Sequence, residues 1–322
     1  MKTRSLRLFH KTILLFGTLL LATSCGVSRY KANTQYPSID AGISYAGKLE
    51  ECFYDCSVSG PDQRRMYVYL PPGYHEDTDR YPVLYLLHGA RGNELAWIQK
   101  GDILHDIDSL TATAKMKKTI VVFPNVNQYD NEKDFGKSRL KSAMESFFET
   151  DGTVESAFVE DVVRTVDSLY RTKADKGNRA IAGLSIGAMQ TIYISANAPE
   201  TFDYIGIFSA MVHPVLRRSE YSSFYKGLKR KLATQFESPP DLYCIMVGKR
   251  DFYYPRMKCF CRYLEKKGYP FELYVSNGGH QWYNWEEYAN IFMQCLWKKD
   301  FFTMDIPGLL LQSPPHRARR QE

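Results

Sequence analysis

Charge imbalance is nearly absent from this chain once its two ends are set aside. The formal net charge is +6, but Lys2, Arg4, Arg7 and Lys11 supply four of those charges with no acid before residue 26. The last ten residues, with Arg317, Arg319, Arg320 and Glu322, supply the other two. A neutral body has no electrostatic footprint for nucleic acid, so that class of partner is excluded. Long hydrophobic runs are scarce as well. Ile13–Ala22 is an apolar run of ten residues, against the roughly 20 that a bilayer span needs. The seven cysteines include no two pairs at metal-site spacing, so no zinc-type centre is expected. No internal repeat is present. What remains is 44% hydrophobic and 24% charged, which excludes a disordered or fibrous protein and leaves a globular one.

Basic residues followed by a ten-residue apolar core read as an export signal over residues 1–25. Ala22-Thr23-Ser24-Cys25 resembles a bacterial lipoprotein box in which Cys25 is lipidated, although the customary Leu stands one place early, at Leu21. Ala22 and Ser24 equally suit ordinary cleavage before Cys25, so free secretion stays open, as does a retained anchor. Residues 26–46 read as a tether, and the tail 305–322, with Pro314, Pro315 and three arginines near its end, as disordered. Export permits disulfides. Cys52 and Cys56, however, lie too far apart on an extended chain to bridge each other, and Cys259 and Cys261 do not face each other on a helix. Free thiols are the expectation.

Between these ends, residues 47–304 read as one domain. A hairpin is expected at Lys48–Ser57 and Arg65–Leu70, with its turn at 59–62. Short apolar strands follow at Tyr81–Leu87, Thr119–Phe123, Asn178–Gly183, Tyr204–Phe208, Leu242–Val247 and Phe271–Val275. Helices are expected at Ser156–Tyr170, with Phe158, Val162, Val163, Val166 and Leu169 on one side, at Ala188–Asn197 and at Phe252–Lys267. Strands alternating with helices predict an α/β fold around a mostly parallel sheet.

Four segments carry the chemistry. Gly183-Leu184-Ser185-Ile186-Gly187 matches G-x-S-x-G between an apolar strand and a helix, the setting of a nucleophile elbow in an α/β-hydrolase. The turn is tight enough to demand glycine on both flanks, and the helix start beneath it favours developing negative charge. His88-Gly89-Ala90-Arg91-Gly92 also follows a strand and resembles the loop that supplies an oxyanion amide. Ala90 and Ile186 are therefore the expected backbone donors to the oxyanion. Asp251 ends the strand segment Val247-Gly248-Lys249-Arg250, and His280 follows the strand before Asn277-Gly278-Gly279. Nucleophile, acid, then histidine is the chain order of an α/β-hydrolase triad. Plainer roles stay open: Asp251 as a helix cap, His280 as an ordinary loop histidine, and His88 as a brace. His213, at another strand end, borders the expected site.

With Tyr81–Trp97, Tyr170-Arg171-Thr172-Lys173 ahead of Arg179–Ser185, and Gly278-Gly279-His280-Gln281-Trp282, the chain resembles the esterase D-like proteins. These include carbohydrate esterases of the feruloyl and acetyl xylan type, S-formylglutathione hydrolases and mycolyltransferases. The resemblance implies an α/β-hydrolase without a large lid domain, an ester substrate, and no metal or organic cofactor. Carried onto this sequence it makes Ser185 the nucleophile, Asp251 the acid, His280 the base, and Ala90 and Ile186 the oxyanion donors. Trp97, His213 and Trp282 become candidate substrate residues. Two departures, Ile186-Gly187-Ala188 after the serine and Ala90-Arg91-Gly92 after Gly89, leave the acyl pocket's shape open. Export favours an esterase acting on feruloyl or acetyl groups of plant polysaccharide, with the membrane touched only through the N-terminal lipid. A mycolyltransferase-type acyltransferase, a serine peptidase and a non-catalytic glycan-binding lipoprotein are the alternatives. The oligomeric state is not assigned.

Overall fold

A computed structural model describes residues 45–58, 63–127, 152–212 and 223–298, with the backbone of Leu309–Leu310. Cys25 and the export segment, most of the tether, the hairpin turn at 59–62, and His213 lie outside the described residues.

The first two strands follow the period of two. β1 (Lys48–Asp55) buries Cys52 and Tyr54 and exposes Glu51 and Phe53, and it pairs antiparallel with β2 (Gln63–Leu70) from Lys48↔Leu70 to Asp55↔Gln63. After them come β3 (Val83–Leu87), α1 (Ala96–Lys100), α2 (Ile103–Ala112), β4 (Ile120–Pro124), α3 (Thr153–Phe158) and α4 (Arg164–Leu169). The second half holds β5 (Arg179–Leu184), α5 (Ile186–Asn197), β6 (Tyr204–Phe208), α6 (Leu228–Gln235), β7 (Leu242–Gly248), α7 (Tyr254–Lys267), β8 (Glu272–Ser276), α8 (Trp282–Cys295) and β9 (Leu309–Leu310).

The strands form one sheet in the order β1-β2-β4-β3-β5-β6-β7-β8-β9. From β4 through β8 the neighbours are parallel, while β1, β2 and β9 join antiparallel. Every residue of β3 through β7 is buried, because a parallel sheet is covered on both faces. Val83, Tyr85, Ile181, Ile205 and Ile245 share one core with Phe158, Ile192 and Met257. Alternate residues face the other layer, where Phe208 meets Phe292 of α8 edge-on at 5.9 Å. This is the α/β-hydrolase architecture that the motifs predict, with no separate lid domain among the described residues.

Two expectations are corrected. Between α3 and α4 the chain makes a π turn over Val159–Val163. The extra residue per turn rotates the apolar face. Phe158, Val162, Val163 and Val166 stay buried, while Leu169 is turned to solvent at 58% exposure. The stretch read as a disordered tail contains β9, whose Leu309 and Leu310 pair with Tyr274 and Leu273, so the sheet continues past residue 304.

Glu272 opens β8 with its side chain buried, and one carboxylate oxygen has no hydrogen-bond partner among the described residues. Burial pushes its carboxyl up to about 7. The unfolded chain ionises this group from about 4.3, so stability falls as pH rises from there through the folded value. Glu272→Gln should therefore gain about 2–3 kcal/mol on wild type between pH 5 and pH 8. Denaturant melts at the two pH values check this; a pH-independent offset would mean that the folded carboxylate is ionised throughout.

Candidate active site

Parallel strands end at the same edge of a sheet, so the segments following β3, β5, β7 and β8 gather there. β5 leads into Ser185, whose φ of +56° is a left-handed conformation forced on a non-glycine residue. Such a backbone costs on the order of 1–3 kcal/mol and persists only where its surroundings hold it. Here the Ser185 N–H donates to Phe208 O at 2.8 Å. Gly187, in the first turn of α5, passes so close to β3 that a Cβ there would overlap the carbonyl oxygen of His88. This contact lays the loop after β3 against the elbow, where a Cβ on Gly89 would lie 3.4 Å from Ser185 Cβ.

That loop turns at Gly89–Gly92, closed by the Gly92 N–H on Gly89 O at 3.1 Å, with Arg91 at φ +59°. Neither the Ala90 nor the Ile186 N–H donates to an acceptor among the described residues. Ala90 is exposed, and Ile186 is the first residue of α5, so both amides stand free beside Ser185. His88 is buried behind them. Its Nε2 accepts from Val126 N–H at 3.2 Å, which leaves Nδ1–H to donate to Gly89 O at 2.8 Å. Burial holds the ring down to about 4, hence neutral. His88 therefore acts as a brace for the loop.

Asp251 follows β7 and is buried. Its Oδ1 accepts the Tyr253 N–H at 2.8 Å, and its Oδ2 lies 2.9 Å from His280 Nδ1. One carboxylate thus closes the turn before α7 through Oδ1 and orients His280 through Oδ2, whereas the N-cap of α7 is Tyr253 and not Asp251. His280 Nε2 lies 2.9 Å from Ser185 Oγ. With Nδ1–H donated to the carboxylate, Nε2 is left as an acceptor for the serine hydroxyl. The two supporting loops are locked together, since Arg250 N–H donates to Gly278 O at 2.9 Å and a Cβ on Gly248 would overlap that same carbonyl. Asn284, buried in the first turn of α8, donates through Nδ2 to Gly279 O beside the histidine.

Three rings surround the His280 imidazole: Phe252 at 4.4 Å, Trp285 at 4.9 Å and Tyr253 at 5.3 Å between centroids. None of these, nor Asn284, is among the residues expected from sequence. The apolar repeat Trp285, Tyr288, Ala289, Phe292 is the signal that places Trp285 and Asn284 on a helix next to His280. Trp97 needs correcting. It is 1% exposed, donates through Nε1 to Leu87 O at 3.0 Å, and packs edge-on against Trp282 at 5.5 Å. It supports the site from behind and offers no surface to a substrate. Trp282 is half-buried, with Lys100 Nζ 5.9 Å above its ring. The six described cysteines are all unpaired, four of them buried.

Comparison with known proteins bears on what such a site does. The Esterase family model matches residues 57–290, a span that contains Ser185, Asp251 and His280. An endo-1,4-beta-xylanase/feruloyl esterase of Xylanibacter ruminicola is 32% identical over 287 residues, 85% of this chain and 35% of that protein. An uncharacterized protein of Corynebacterium glutamicum is 25% identical over 216 residues, 64% of this chain and 47% of that one. The chain thus spans between about a third and a half of the length of these curated relatives. Among solved structures, a ferulic acid esterase superposes with a TM-score of 0.61 at 22% identity, covering 79% of this chain and 97% of its own. A ferulic acid esterase from Anaeromyces mucronatus in complex with ferulic acid gives 0.59 at 19% identity, covering 84% and 97%. An S-formylglutathione hydrolase from Staphylococcus aureus gives 0.58 at 17%, covering 78% and 98%. These three share the fold.

Proposed function

This chain belongs to the Esterase family, and from that membership we propose that it is an exported serine carboxylesterase that removes feruloyl or acetyl groups from plant polysaccharide. The observation carrying the proposal is the relay from Asp251 through His280 to Ser185, 2.9 Å at each link, on a strained elbow beside two free amides. The feruloyl part rests on the likeness to the endo-1,4-beta-xylanase/feruloyl esterase of Xylanibacter ruminicola.

His280 Nε2 takes the proton from Ser185 Oγ as the oxygen attacks the ester carbonyl carbon. The buried carboxylate of Asp251 holds the imidazole in the required tautomer and stabilises its charged form. The carbonyl oxygen gains negative charge and is received by the Ala90 and Ile186 N–H groups, at the positive end of α5. As the tetrahedral intermediate collapses, the bond to the alcohol oxygen breaks and that oxygen takes the proton from Nε2. Water, deprotonated by the same nitrogen, then releases the acid from Ser185. His88, neutral and hydrogen-bonded at both nitrogens, keeps the Ala90 amide in place without taking part in proton transfer.

Location belongs to the same proposal: Cys25 carries the lipid, and the catalytic domain hangs from the membrane by the tether. One fractionation experiment tests both parts. Cells expressing the full chain should carry methyl ferulate and p-nitrophenyl acetate hydrolysis in the membrane fraction, and Cys25→Ser should move it to the soluble exported fraction. Activity on neither ester in any fraction would sink the esterase reading. Soluble activity already in wild type would sink the anchor alone.

A further inference from the structure

Phe252 is the one ring of the three around His280 that faces solvent. It is 45% exposed, whereas Tyr253 and Trp285 are buried. The backbone turn that carries it is closed by three hydrogen bonds. Asp251 N–H reaches Gly248 O at 3.0 Å, Tyr253 N–H reaches Asp251 Oδ1 at 2.8 Å, and Tyr254 N–H reaches Asp251 O at 3.0 Å. The turn thus presents an apolar ring packed on the imidazole, tilted 45° to it, with its remaining surface in water.

The chemistry says which part of a substrate comes here. The leaving oxygen must accept its proton from His280 Nε2, so it sits within hydrogen-bond reach of that atom. Whatever is attached to it extends from the edge of the imidazole. Of the three rings packed around that imidazole two are buried, and Phe252 alone has surface to offer a substrate group. A sugar presents apolar C–H groups on its ring faces, which cover an exposed aromatic ring at a gain in buried apolar area. The acyl chain, attached to the carbonyl carbon, leaves in a different direction.

Resting on the esterase reading above, we propose that Phe252 is a specificity residue for the alcohol half of the ester, a platform on which the acylated sugar lies while His280 protonates it. The test compares wild type, Phe252→Ala and Phe252→Trp on a methyl ester and on an oligosaccharide ester of the same acid, with ferulate and with acetate. The ratio of kcat/KM for sugar ester to methyl ester should fall about tenfold in Phe252→Ala, equivalent to about 1.4 kcal/mol, mainly through KM. Phe252→Trp should keep the ratio. An unchanged ratio in Phe252→Ala, whether both rates fall together or neither falls, overturns the platform and leaves the esterase reading standing. Wild type inert on all four esters overturns the esterase reading and the platform with it.

Discussion

Ser185→Ala is expected to lower kcat for methyl ferulate by about ten-thousand-fold or more, the scale on which loss of a triad nucleophile acts. The variant keeps both amides beside the elbow and the Asp251–His280 pair, so substrate still binds, and a small residual rate above that of water should remain. Stability should change little. The φ of +56° is as strained for alanine as for serine, and the hydrogen bond lost to His280 is worth about 1 kcal/mol net. Combining Ser185→Ala with His280→Ala should cost almost nothing further, because the two residues act as one unit. Single-turnover kinetics on purified variants decide the matter. A Ser185→Ala protein retaining even about one per cent of wild-type kcat would remove Ser185 as nucleophile.

Gly187→Ala should damage both catalysis and stability, without touching any group that reacts. Its new Cβ would overlap the His88 carbonyl oxygen and lie 2.9 Å from that of Leu87, both backbone atoms that cannot swing aside. The first turn of α5 must then move off the loop after β3, carrying the Ile186 amide and Ser185 with it. Loss of one well-aimed oxyanion donor costs about a hundredfold to a thousandfold in kcat, and overpacking a rigid contact costs about 1–3 kcal/mol of stability. Gly268→Ala is the paired control. Gly268 ends α7 at φ +69° with nothing within 4 Å of an added Cβ, so alanine there should cost about 1 kcal/mol of backbone strain and leave kcat alone. Urea melts and initial rates on both variants separate the effects. Equal kcat values in the two would show that the close approach at Gly187 does not aim the elbow.

Much of the site was legible locally because its parts are local devices. A strand followed by Gly-x-Ser-x-Gly and a helix must turn sharply whatever surrounds it, and Ser185 adopts the positive φ that this implies. Asp251 and His280 are legible as residues just past parallel strands, since such strands deliver these positions to one edge. Less was legible where burial depends on partners from elsewhere. Trp97 reads equally well as a surface aromatic or a core one, and only the Leu87 carbonyl and the Trp282 ring place it inside. Leu169 fits the helical stripe on paper, yet the π turn at Val159–Val163 rotates it outward.

The sequence by itself determined the alternation of strands and helices, the elbow, and the placing of Ser185, Asp251 and His280 just past strands, because periodicity and glycine placement act over a few residues. The tertiary structure alone decided that Nε2 of His280 meets Oγ of Ser185 across 95 residues and Nδ1 meets Asp251 across 29. It also decided that Phe252, of the rings around that histidine, is the one left open to solvent. Sequence pattern specifies which face of an element must be covered; what covers it, and what is left uncovered, depends on how the whole sheet and its helices pack.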